Sequence, residues 1–328
     1  MKTGAETILR VNDLSICYPI SIGVVRAVEA VSFTLADGEA LGLVGESGCG
    51  KSTLGLSLLK LLRPPGRVTN GSIMYRGINV LSLDRRSLLA LRGRSISMIF
   101  QNPLTSLNPL FTVKQHFLET IRFHDPSMPR GKALAAAAKM LATLGIEEKR
   151  LGEYPHQLSG GMRQRIMIGL ALIMNPDILI ADEPTTSLDV IVEAGFTELL
   201  ATLRRVYKLS IILITHNLGL VAEIADRIAV MYGGKIMEIG PAEEIFARPL
   251  HPYTQGLINC VPNIRLDRKE LVTMPGSPPD LVTPPAGCRF APRCPKVMPV
   301  CGERLPDLMD HAPGHKAACW LYARKAGE

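Results

Sequence analysis

The stretch GESGCGKS, residues 45–52, constrains the fold more than any other part of the chain. It reads glycine, four residues, then Gly-Lys-Ser, and it lies between a short apolar run, ALGLVG, and a segment with helical periodicity, LGLSLLKLL, which we expect to end at Pro64-Pro65. In this context the glycines let successive backbone N–H groups turn toward phosphate oxygens, and the following helix adds its positive N-terminal end. The sequence therefore predicts a phosphate-binding loop in an α/β fold; a plain glycine-rich turn is the less favoured alternative.

Each position of this loop has an expected task at a bound nucleotide. Lys51 can reach the β- and γ-phosphates, and the hydroxyl of Ser52 can ligate Mg²⁺. Cys49 would bind through its backbone N–H, so we expect no catalytic role for its thiol. The residues predicted to contact ATP in this segment are Gly45, Ser47, Gly48, Cys49, Gly50, Lys51, Ser52 and Thr53.

A second signal is the segment ILIADEP, in which an apolar run ends in Asp182 and Glu183. A carboxylate at the end of a buried strand can hold Mg²⁺ through its water shell, and the next carboxylate can orient or deprotonate an attacking water. An acidic strand end without function is the alternative, and a phosphate loop in the same chain weakens it. We therefore predict that Asp182 binds Mg²⁺ and that Glu183 is catalytic.

Hydrophobic periodicity outlines the other elements. Residues 8–35 alternate apolar and polar side chains and predict strands before a turn at Asp37-Gly38, and residues 71–80 predict a hairpin. The pattern is helical over about residues 110–170. The runs DILIAD and SIILITH are apolar throughout, as parallel central strands are, and RIAVMYGGKIMEIG predicts a further strand.

The composition changes after residue 262, where MPGSPPDLVTPPAG is rich in proline and leaves little room for a helix. We therefore predict a nucleotide-binding domain over residues 1–262, with a helical subdomain over about 102–170, and an extension over 263–328. The chain has 328 residues, which is enough for one large domain and an appendage.

Bulk composition narrows the function classes. The net charge is +7, but lysine and arginine are scattered and only 5% of residues are aromatic, so we expect no nucleic-acid surface. The start of the chain lacks the apolar core of a signal peptide, and no apolar run reaches the length of a membrane span. The expectation is a cytoplasmic protein, in which the seven cysteines do not form a disulfide framework.

Residues 157–165, QLSGGMRQR, decide between the classes of nucleotide-binding protein. Ser159, Gly160 and Gly161 at a helix N-terminus would form a second anion site. With the preceding motifs, this segment resembles the signature of the ATP-binding subunits of ABC transporters. In that family the signature binds the γ-phosphate of the ATP held by the opposing subunit.

The resemblance covers about residues 8–262 and implies further roles. Tyr18 is implied to stack on adenine, and Gln101 to sense Mg²⁺ and the attacking water and to face the membrane subunits. Asp189 is implied to lie at the dimer interface, and His216 to contact the γ-phosphate. Taken alone, His216 could be a strand-end histidine and Tyr18 a core residue.

The fold class implied is α/β, the P-loop NTPase fold of ABC ATPases. It comprises a mixed central sheet, an N-terminal antiparallel β subdomain and a helical signature subdomain, here with a cysteine-containing C-terminal extension. Two subunits would face each other head to tail, each ATP being held by one phosphate loop and the other subunit's signature.

Several segments resemble the ATPases of dipeptide and oligopeptide importers: EYPHQLSGGMRQR, DEPTTSLDV, HPYTQGLI and MPGSPPDLVTPPAGCRFAPRCP. This implies an ATP-hydrolysing subunit that forms a heterodimer with a paralogous ATPase on two transmembrane permease subunits. Its place would be the cytoplasmic face of the inner membrane, with an extracytoplasmic binding protein selecting the substrate. Other cargoes, such as nickel or glutathione, stay open.

Two other functions agree less well with the sequence. A nucleic-acid ABC ATPase would carry long insertions or a second ATPase module, whereas this chain has one phosphate loop and a compact spacing between residues 52 and 158. A regulatory module that does not hydrolyse ATP disagrees with the presence of Lys51, Glu183 and His216. We therefore expect no nucleic-acid partner.

Four of the seven cysteines, Cys288, Cys294, Cys301 and Cys319, lie in the extension. Their thiolates suit either Zn²⁺ or an iron–sulfur cluster, although the spacing is that of neither common zinc sites nor ferredoxins. The motif GCRFAPRCP resembles the tail of peptide-importer ATPases and implies a [4Fe–4S] cluster with a structural role. Zinc, and free or disulfide-bonded thiols, are the alternatives.

Overall fold

The computed structural model describes residues 6–101, 107–185, 190–260 and 274–322, and the chain divides into two compact units. The first unit comprises Met1–Ala36, Ala40–Leu81 and Ile214–Glu328; the second comprises Asp37–Glu39 and Ser82–Leu213. The predicted domain boundary at residue 262 lies outside the described residues, as does Asp189. The described part of the predicted extension belongs to the first unit.

The strands, in chain order, are β1 (Thr7–Ile20), β2 (Gly23–Ala36), β3 (Ala40–Val44), β4 (Arg67–Tyr75), β5 (Ile78–Asn79), β6 (Ile96–Ile99), β7 (Ile178–Asp182), β8 (Ser210–Thr215), β9 (Arg227–Tyr232), β10 (Lys235–Pro241), β11 (Met309–Ala312) and β12 (His315–Ala317). The α-helices are α1 (Lys51–Leu58), α2 (Arg85–Leu91), α3 (Val113–His124), α4 (Arg130–Thr143), α5 (Gly160–Leu172), α6 (Val190–Tyr207), α7 (Leu218–Ile224), α8 (Ala242–Ala247), α9 (Pro252–Asn259) and α10 (Pro299–Glu303).

The first unit begins with an antiparallel sheet in the order β2-β1-β4-β5. β1 and β2 form a long hairpin, and β4 pairs with the other edge of β1. The alternation of apolar and polar residues buries one face of the sheet, so that Leu14, Val31 and Ile73 are at most 1% exposed. The predicted N-terminal strands and the predicted hairpin are confirmed.

The other strands of the first unit form mixed pairings. β3 runs parallel to β9, whereas β9 and β10, β10 and β12, and β12 and β11 are antiparallel. The single strand predicted over residues 227–240 is two strands, because Gly233 and Gly234 take φ values of 56° and 81° and turn the chain back. The pairing of β12 with β10 brings the C-terminal extension, which we call the tail, onto this sheet.

The phosphate loop joins β3 to α1. α1 ends at Leu58, earlier than the apolar pattern predicts, because Lys60 takes a left-handed φ of 52° and its N–H returns to the carbonyl of Ser57. The predicted stop at Pro64-Pro65 therefore lies beyond the helix. α7 packs on β3, where a Cβ on Gly42 would lie 2.4 Å from a Val221 methyl group.

The second unit combines parallel strands with the helical region. β6 and β7 are parallel, with Met98 beside Ile180, and β8, whose last two residues belong to the first unit, neighbours β7. The helical pattern of residues 110–170 corresponds to α3, α4 and α5. These helices approach closely at Gly169, where a Cβ would lie 2.7 Å from Leu144. Among the described residues, no helix combines the length and the apolar character needed to cross a membrane.

Candidate functional site

The phosphate loop is built on glycines that no other residue could replace without strain. Gly45, Gly48 and Gly50 take φ values of 151°, 78° and 104°. A Cβ on Gly45 would lie 2.1 Å from the carbonyl oxygen of Met231, and a Cβ on Gly50 would lie 2.1 Å from that of Ala27. The loop therefore passes against two neighbouring strands of its unit, and only glycine allows both approaches.

Lys51 is buried in this loop and interacts with its backbone. Its Nζ donates to the carbonyl of Gly45 at 2.7 Å and to that of Glu46 at 2.9 Å, and it lies 3.6 Å from the Sγ of Cys49. These carbonyls compensate for the loss of water around the ammonium group. Burial raises the pKa of the Cys49 thiol, against the lowering effect of Lys51, so the thiol stays protonated at neutral pH.

The exposed positions of the loop lie before α1, and the half-buried hydroxyl residues lie in its first turn. Ser47 and Gly48 are exposed, and Ser52 and Thr53 are half-buried in the first turn of the helix. The hydroxyl of Tyr18 lies 3.5 Å from Oγ1 of Thr53. The structure therefore brings the aromatic ring predicted for adenine to the same helix turn that carries the phosphate-loop hydroxyls.

His216 lies directly after β8, where it is exposed. The next residue, Asn217, caps α7, because its Oδ1 accepts hydrogen bonds from the N–H groups of Gly219 and Leu220 at 2.9 and 3.3 Å. The cap fixes the chain direction after the strand and leaves the imidazole at the strand end.

In the second unit, the structure brings together two predicted site residues. Gln101 follows β6 and Glu183 follows β7, and the Nε2 of Gln101 donates to a carboxylate oxygen of Glu183 at 3.1 Å. They meet because parallel strands end at the same edge of a sheet. Asp182, the last residue of β7, is 5% exposed. Glu183 takes a φ of 44°, which is unusual for a residue with a side chain.

The signature motif forms the N-terminus of α5. The Oγ of Ser159 accepts a hydrogen bond from the N–H of Met162 at 3.3 Å and so caps the helix. Ser159 and Gly160 are exposed and Gly161 is half-buried, and a Cβ on Gly160 would meet nothing within 4 Å. This helix end is therefore open to an anion approaching along the helix axis.

Sequence reasoning did not single out Gln164, which lies in the signature helix and is buried. Its Nε2 donates to the carbonyl of Pro184, directly after Glu183. The signature helix and the acidic segment are thus joined by a side chain. The available signal was its spacing, because Gln164 lies three and four residues before the buried Met167 and Ile168 and so shares their face of the helix.

The tail is bound to its unit by buried polar contacts as well as by β12. Arg289 pairs with Glu29 at 2.7 Å, and His315 pairs with Glu238 at 2.7 Å, with Arg289 and both members of the second pair at most 3% exposed. Burial alone would raise the pKa of the Glu29 carboxyl, but Lys235 and Arg289 hold it below its ordinary value. The tail is therefore an integrated part of the first unit.

The four tail cysteines lie near one another. The N–H of Cys288 donates to the carbonyl of Cys301 at 2.8 Å. Burial raises the pKa of the Cys288, Cys294 and Cys319 thiols, that of Cys319 to about 11, and repulsion from neighbouring tail thiolates adds to the effect. Among the described residues, no group of three or more metal-binding side chains is gathered as a single ion would require.

Comparison with known families divides the chain in two. The profile of a family described as "ABC transporter" matches residues 28–186, and that of "Oligopeptide/dipeptide transporter, C-terminal region" matches residues 237–301. The first matched range contains the phosphate loop, the signature and the acidic strand end. The second contains Cys288, Cys294 and Cys301.

Related proteins match along nearly the whole chain. The dipeptide transport ATP-binding protein DppD of Bacillus subtilis is 46% identical over 324 residues, which is 98% of this chain and 96% of that protein. The oligopeptide transport ATP-binding protein OppD of Salmonella typhimurium is 46% identical over 318 residues, 96% of this chain and 94% of that protein.

Solved structures agree with the fold. The dimeric structure of MJ0796, a bacterial ABC transporter cassette, is 26% identical with a TM-score of 0.64 and covers 71% of this chain and 98% of that one. The structure of cbiO1 from Clostridium perfringens, part of the ABC transporter complex cbiONQ, is 27% identical with a TM-score of 0.65 and covers 74% of this chain and 92% of that one.

Proposed function

The chain belongs to the ATP-binding subunits of ABC transporters for dipeptides and oligopeptides, and from this membership we propose how its residues serve transport. It hydrolyses ATP to power peptide transport, and subunits of this kind work with permease subunits. The observation that carries this conclusion is the 46% identity to a dipeptide transport ATPase over 98% of the chain. The predicted family, fold class and enzyme class are confirmed.

ATP and Mg²⁺ fit such an ATPase, and the loop geometry supports their binding by the predicted residues. The glycine approaches described above keep the loop free of side chains at Gly45 and Gly50, where a nucleotide phosphate would meet backbone N–H groups. We propose that Lys51 binds the β- and γ-phosphates and that Ser52, Gln101 and Asp182 hold Mg²⁺. The metal supplies charge neutralisation at the phosphates.

We propose that Glu183 orients and deprotonates the attacking water. The hydrogen bond from Gln101 supports this role, because it helps to orient the Glu183 carboxylate. His216, at the end of β8, would contact the γ-phosphate, and Tyr18 would stack on adenine beside Thr53. Asp189 would contribute at the dimer interface.

The open N-terminus of α5 supports a role for Ser159, Gly160 and Gly161 toward a nucleotide of another subunit. We propose a head-to-tail heterodimer with a paralogous ATPase. The two would dock on two permease subunits at the cytoplasmic face of the inner membrane, and an extracytoplasmic binding protein would deliver the peptide. ATP binding would close the dimer and hydrolysis would open it.

We propose that Cys288, Cys294, Cys301 and Cys319 hold a [4Fe–4S] cluster with a structural role. The donor set fits, because four neighbouring thiols are soft ligands that iron–sulfur clusters and zinc both accept. Zinc is the alternative occupant, because Zn²⁺ also binds four thiolates.

Uptake by the assembled transporter tests the proposed substrate. The chain is reconstituted in proteoliposomes with its cognate permeases, its paralogous ATPase and the binding protein, and radiolabelled dipeptide uptake is measured with and without ATP. ATP-dependent uptake that unlabelled peptides inhibit supports peptide import. Uptake of nickel or glutathione with no peptide uptake would contradict it and identify another cargo.

A further inference from the structure

The phosphate loop of this chain contains a carboxylate, Glu46, at its second position. A carboxylate beside the phosphates of ATP would repel them, because like charges a few ångströms apart repel each other near a protein surface. In the structure, an arginine of the tail pairs with the Glu46 carboxylate. Arg293 of the tail binds Glu46 with two hydrogen bonds, from Nη1 to Oε2 at 2.8 Å and from Nη2 to Oε1 at 3.1 Å.

Arg293 is held in place from several sides. Its Nε donates to the carbonyl of Pro275 at 2.8 Å, and its Nη1 also donates to the hydroxyl of Tyr232 at 3.1 Å. The guanidinium lies over the rings of Tyr232 and Phe290, 5.7 and 5.9 Å from their centres. The side chain is 7% exposed. An arginine fixed in this way can orient its partner, because little side-chain freedom is left to lose.

The backbone of Glu46 is engaged as well. Its N–H donates to the hydroxyl of Tyr253 at 2.9 Å, and its carbonyl accepts the hydrogen bond from Lys51. The residue is thus bound through its carboxylate, its N–H and its carbonyl. Two of these three contacts come from residues after β10, in the C-terminal part of the first unit, and the third comes from the lysine of the loop itself.

We propose that Arg293 is a positioning residue for ATP binding, which neutralises the Glu46 carboxylate and keeps it directed toward the tail. The C-terminal tail then contributes to nucleotide affinity without touching the nucleotide. The proposal deepens the proposed function and rests on the phosphate-binding role of the loop. It also links the cysteine-containing tail to ATP binding, since Arg293 directly precedes Cys294.

The test is a double-mutant cycle on the full chain, with binding of a fluorescent ATP analogue, mant-ATP, as the readout. Arg293→Gln leaves the Glu46 carboxylate without its partner, and we expect the dissociation constant to rise about tenfold, as loss of a charge-assisted bidentate contact implies. The increase shrinks as salt is raised, because charge repulsion is screened. In the Glu46→Gln background, the same change at Arg293 has an effect of less than about twofold, because there is no orphaned carboxylate.

Arg289→Gln is the matched control. Arg289 also lies next to a tail cysteine, has a side chain that is 3% exposed and pairs with a carboxylate at 2.7 Å, but its partner is Glu29 in β2. The Arg289→Gln change alters the dissociation constant for mant-ATP by less than about twofold, because Arg289 shares no partner with the Arg293–Glu46 pair. Arg293→Lys, which keeps the charge but not the bidentate geometry, gives an intermediate value. Circular dichroism and the metal content of each variant establish that the tail is intact.

ATP hydrolysis by the assembled transporter adds a second readout. Arg293→Gln raises KM for ATP with kcat at saturation nearly unchanged, because the contact acts before chemistry. An equal weakening by Arg293→Gln in both Glu46 backgrounds, or by Arg289→Gln, would overturn the proposal and reduce Arg293 to a stabilising contact. Lys51→Ala distinguishes failure of the Arg293 proposal from failure of the proposed function. If Lys51→Ala leaves the affinity for mant-ATP unchanged, the phosphate-binding role of the loop itself is wrong.

Discussion

Glu183 combines strained backbone with a directed carboxylate. Its φ of 44° lies in the left-handed region, which a residue with a Cβ occupies at a cost of about 1–2 kcal/mol. The surrounding structure holds it there: the buried strand β7 precedes it, and Pro184, directly after it, accepts a hydrogen bond from Gln164. Strain of this kind is concentrated at sites where a side chain must point in one direction, which agrees with a catalytic role.

We expect Glu183→Gln to lower kcat for ATP hydrolysis by at least about a hundredfold, because the amide cannot accept the proton of the attacking water. ATP binding persists, because the phosphate loop is untouched. Hydrolysis by the assembled transporter and mant-ATP binding measure the two effects.

Glu193→Gln is the matched control for this prediction. Glu193 is another carboxylate of the same unit, and it accepts a hydrogen bond from Thr185 at 3.1 Å, two residues after Glu183. Its replacement leaves the hydrolysis rate within about twofold of wild type, because Glu193 is half-buried and lies outside the proposed catalytic residues. Hydrolysis near the wild-type rate in the Glu183 variant would contradict its assignment as the base.

Among the secondary-structure elements, α5 is notable for its open N-terminus. Its exposed first turn suits a partner's nucleotide, and Ser159 caps the helix rather than contacting a neighbouring element. A bulky cation at this position would fill the space that an anion needs.

We expect Ser159→Arg to impair the ATP site whose phosphate loop belongs to the paralogous subunit. The loss arises because the side chain blocks the helix N-terminus and removes the cap. Trapping of nucleotide at each site, with mutant and wild-type subunits mixed in both combinations, identifies the affected site. A loss confined to the phosphate loop of the mutated chain would refute the head-to-tail arrangement.

The residue that caps α9, His251, makes the stability of the first unit depend on pH. His251 is 1% exposed and caps this helix, since its Nδ1 accepts the N–H of Tyr253 at 3.0 Å. Burial lowers the pKa of His251 from 6.5 to about 4. The unfolded chain therefore binds a proton at His251 between pH 6.5 and 4 that the folded chain does not, so stability falls as the pH is lowered through this range.

From pH 7.5 to pH 5, this group alone should reduce the free energy of unfolding by about 2 kcal/mol. We expect His251→Asn, which keeps a capping side chain, to remove that part of the pH dependence. Urea unfolding followed by circular dichroism at the two pH values measures it. His156→Asn, which removes an exposed histidine, is the control, and an equal change of slope in both variants would contradict the burial argument.

At the largest scale, the tail contacts several parts of the first unit. Beyond the strand pairing of β12 with β10, it reaches β2 through Arg289 and the phosphate loop through Arg293. The tail segment has few apolar residues to bury, so a metal centre would stabilise it where hydrophobic packing cannot.

We expect anaerobic purification to yield a brown protein with about four iron and four sulfide ions per chain, as a [4Fe–4S] cluster requires. Cys301→Ser removes a buried ligand and lowers the iron content, whereas Cys260→Ser, outside the group of four, leaves it unchanged. Iron, sulfide and zinc analysis with a visible spectrum measures this. A colourless protein with one equivalent of zinc would contradict the cluster, and a folded, active protein with neither metal would contradict both.

Features that depend on neighbouring residues could be predicted from the sequence. A phosphate loop, a signature helix and an acidic strand end use the backbone and side chains of a few consecutive positions, so their spacing in the chain carries the information. The hairpin of β1 and β2 and the buried strand β7 follow in the same way from local periodicity. Even here, α1 ended before its predicted stop, because a left-handed residue closes the helix without a proline.

The contacts between distant segments could not be predicted from the sequence, because they depend on the packing of the folded chain. Arg293 and Glu46 are 247 residues apart in the sequence, and Glu238 and His315 are 77 residues apart. No local sequence pattern therefore predicts either pair. The same holds for β12, a three-residue strand that joins the sheet only because β10 presents backbone groups with which it can pair. Such contacts form when packing of the whole unit offsets the entropy of bringing the segments together, and that balance cannot be read from the residues on either side.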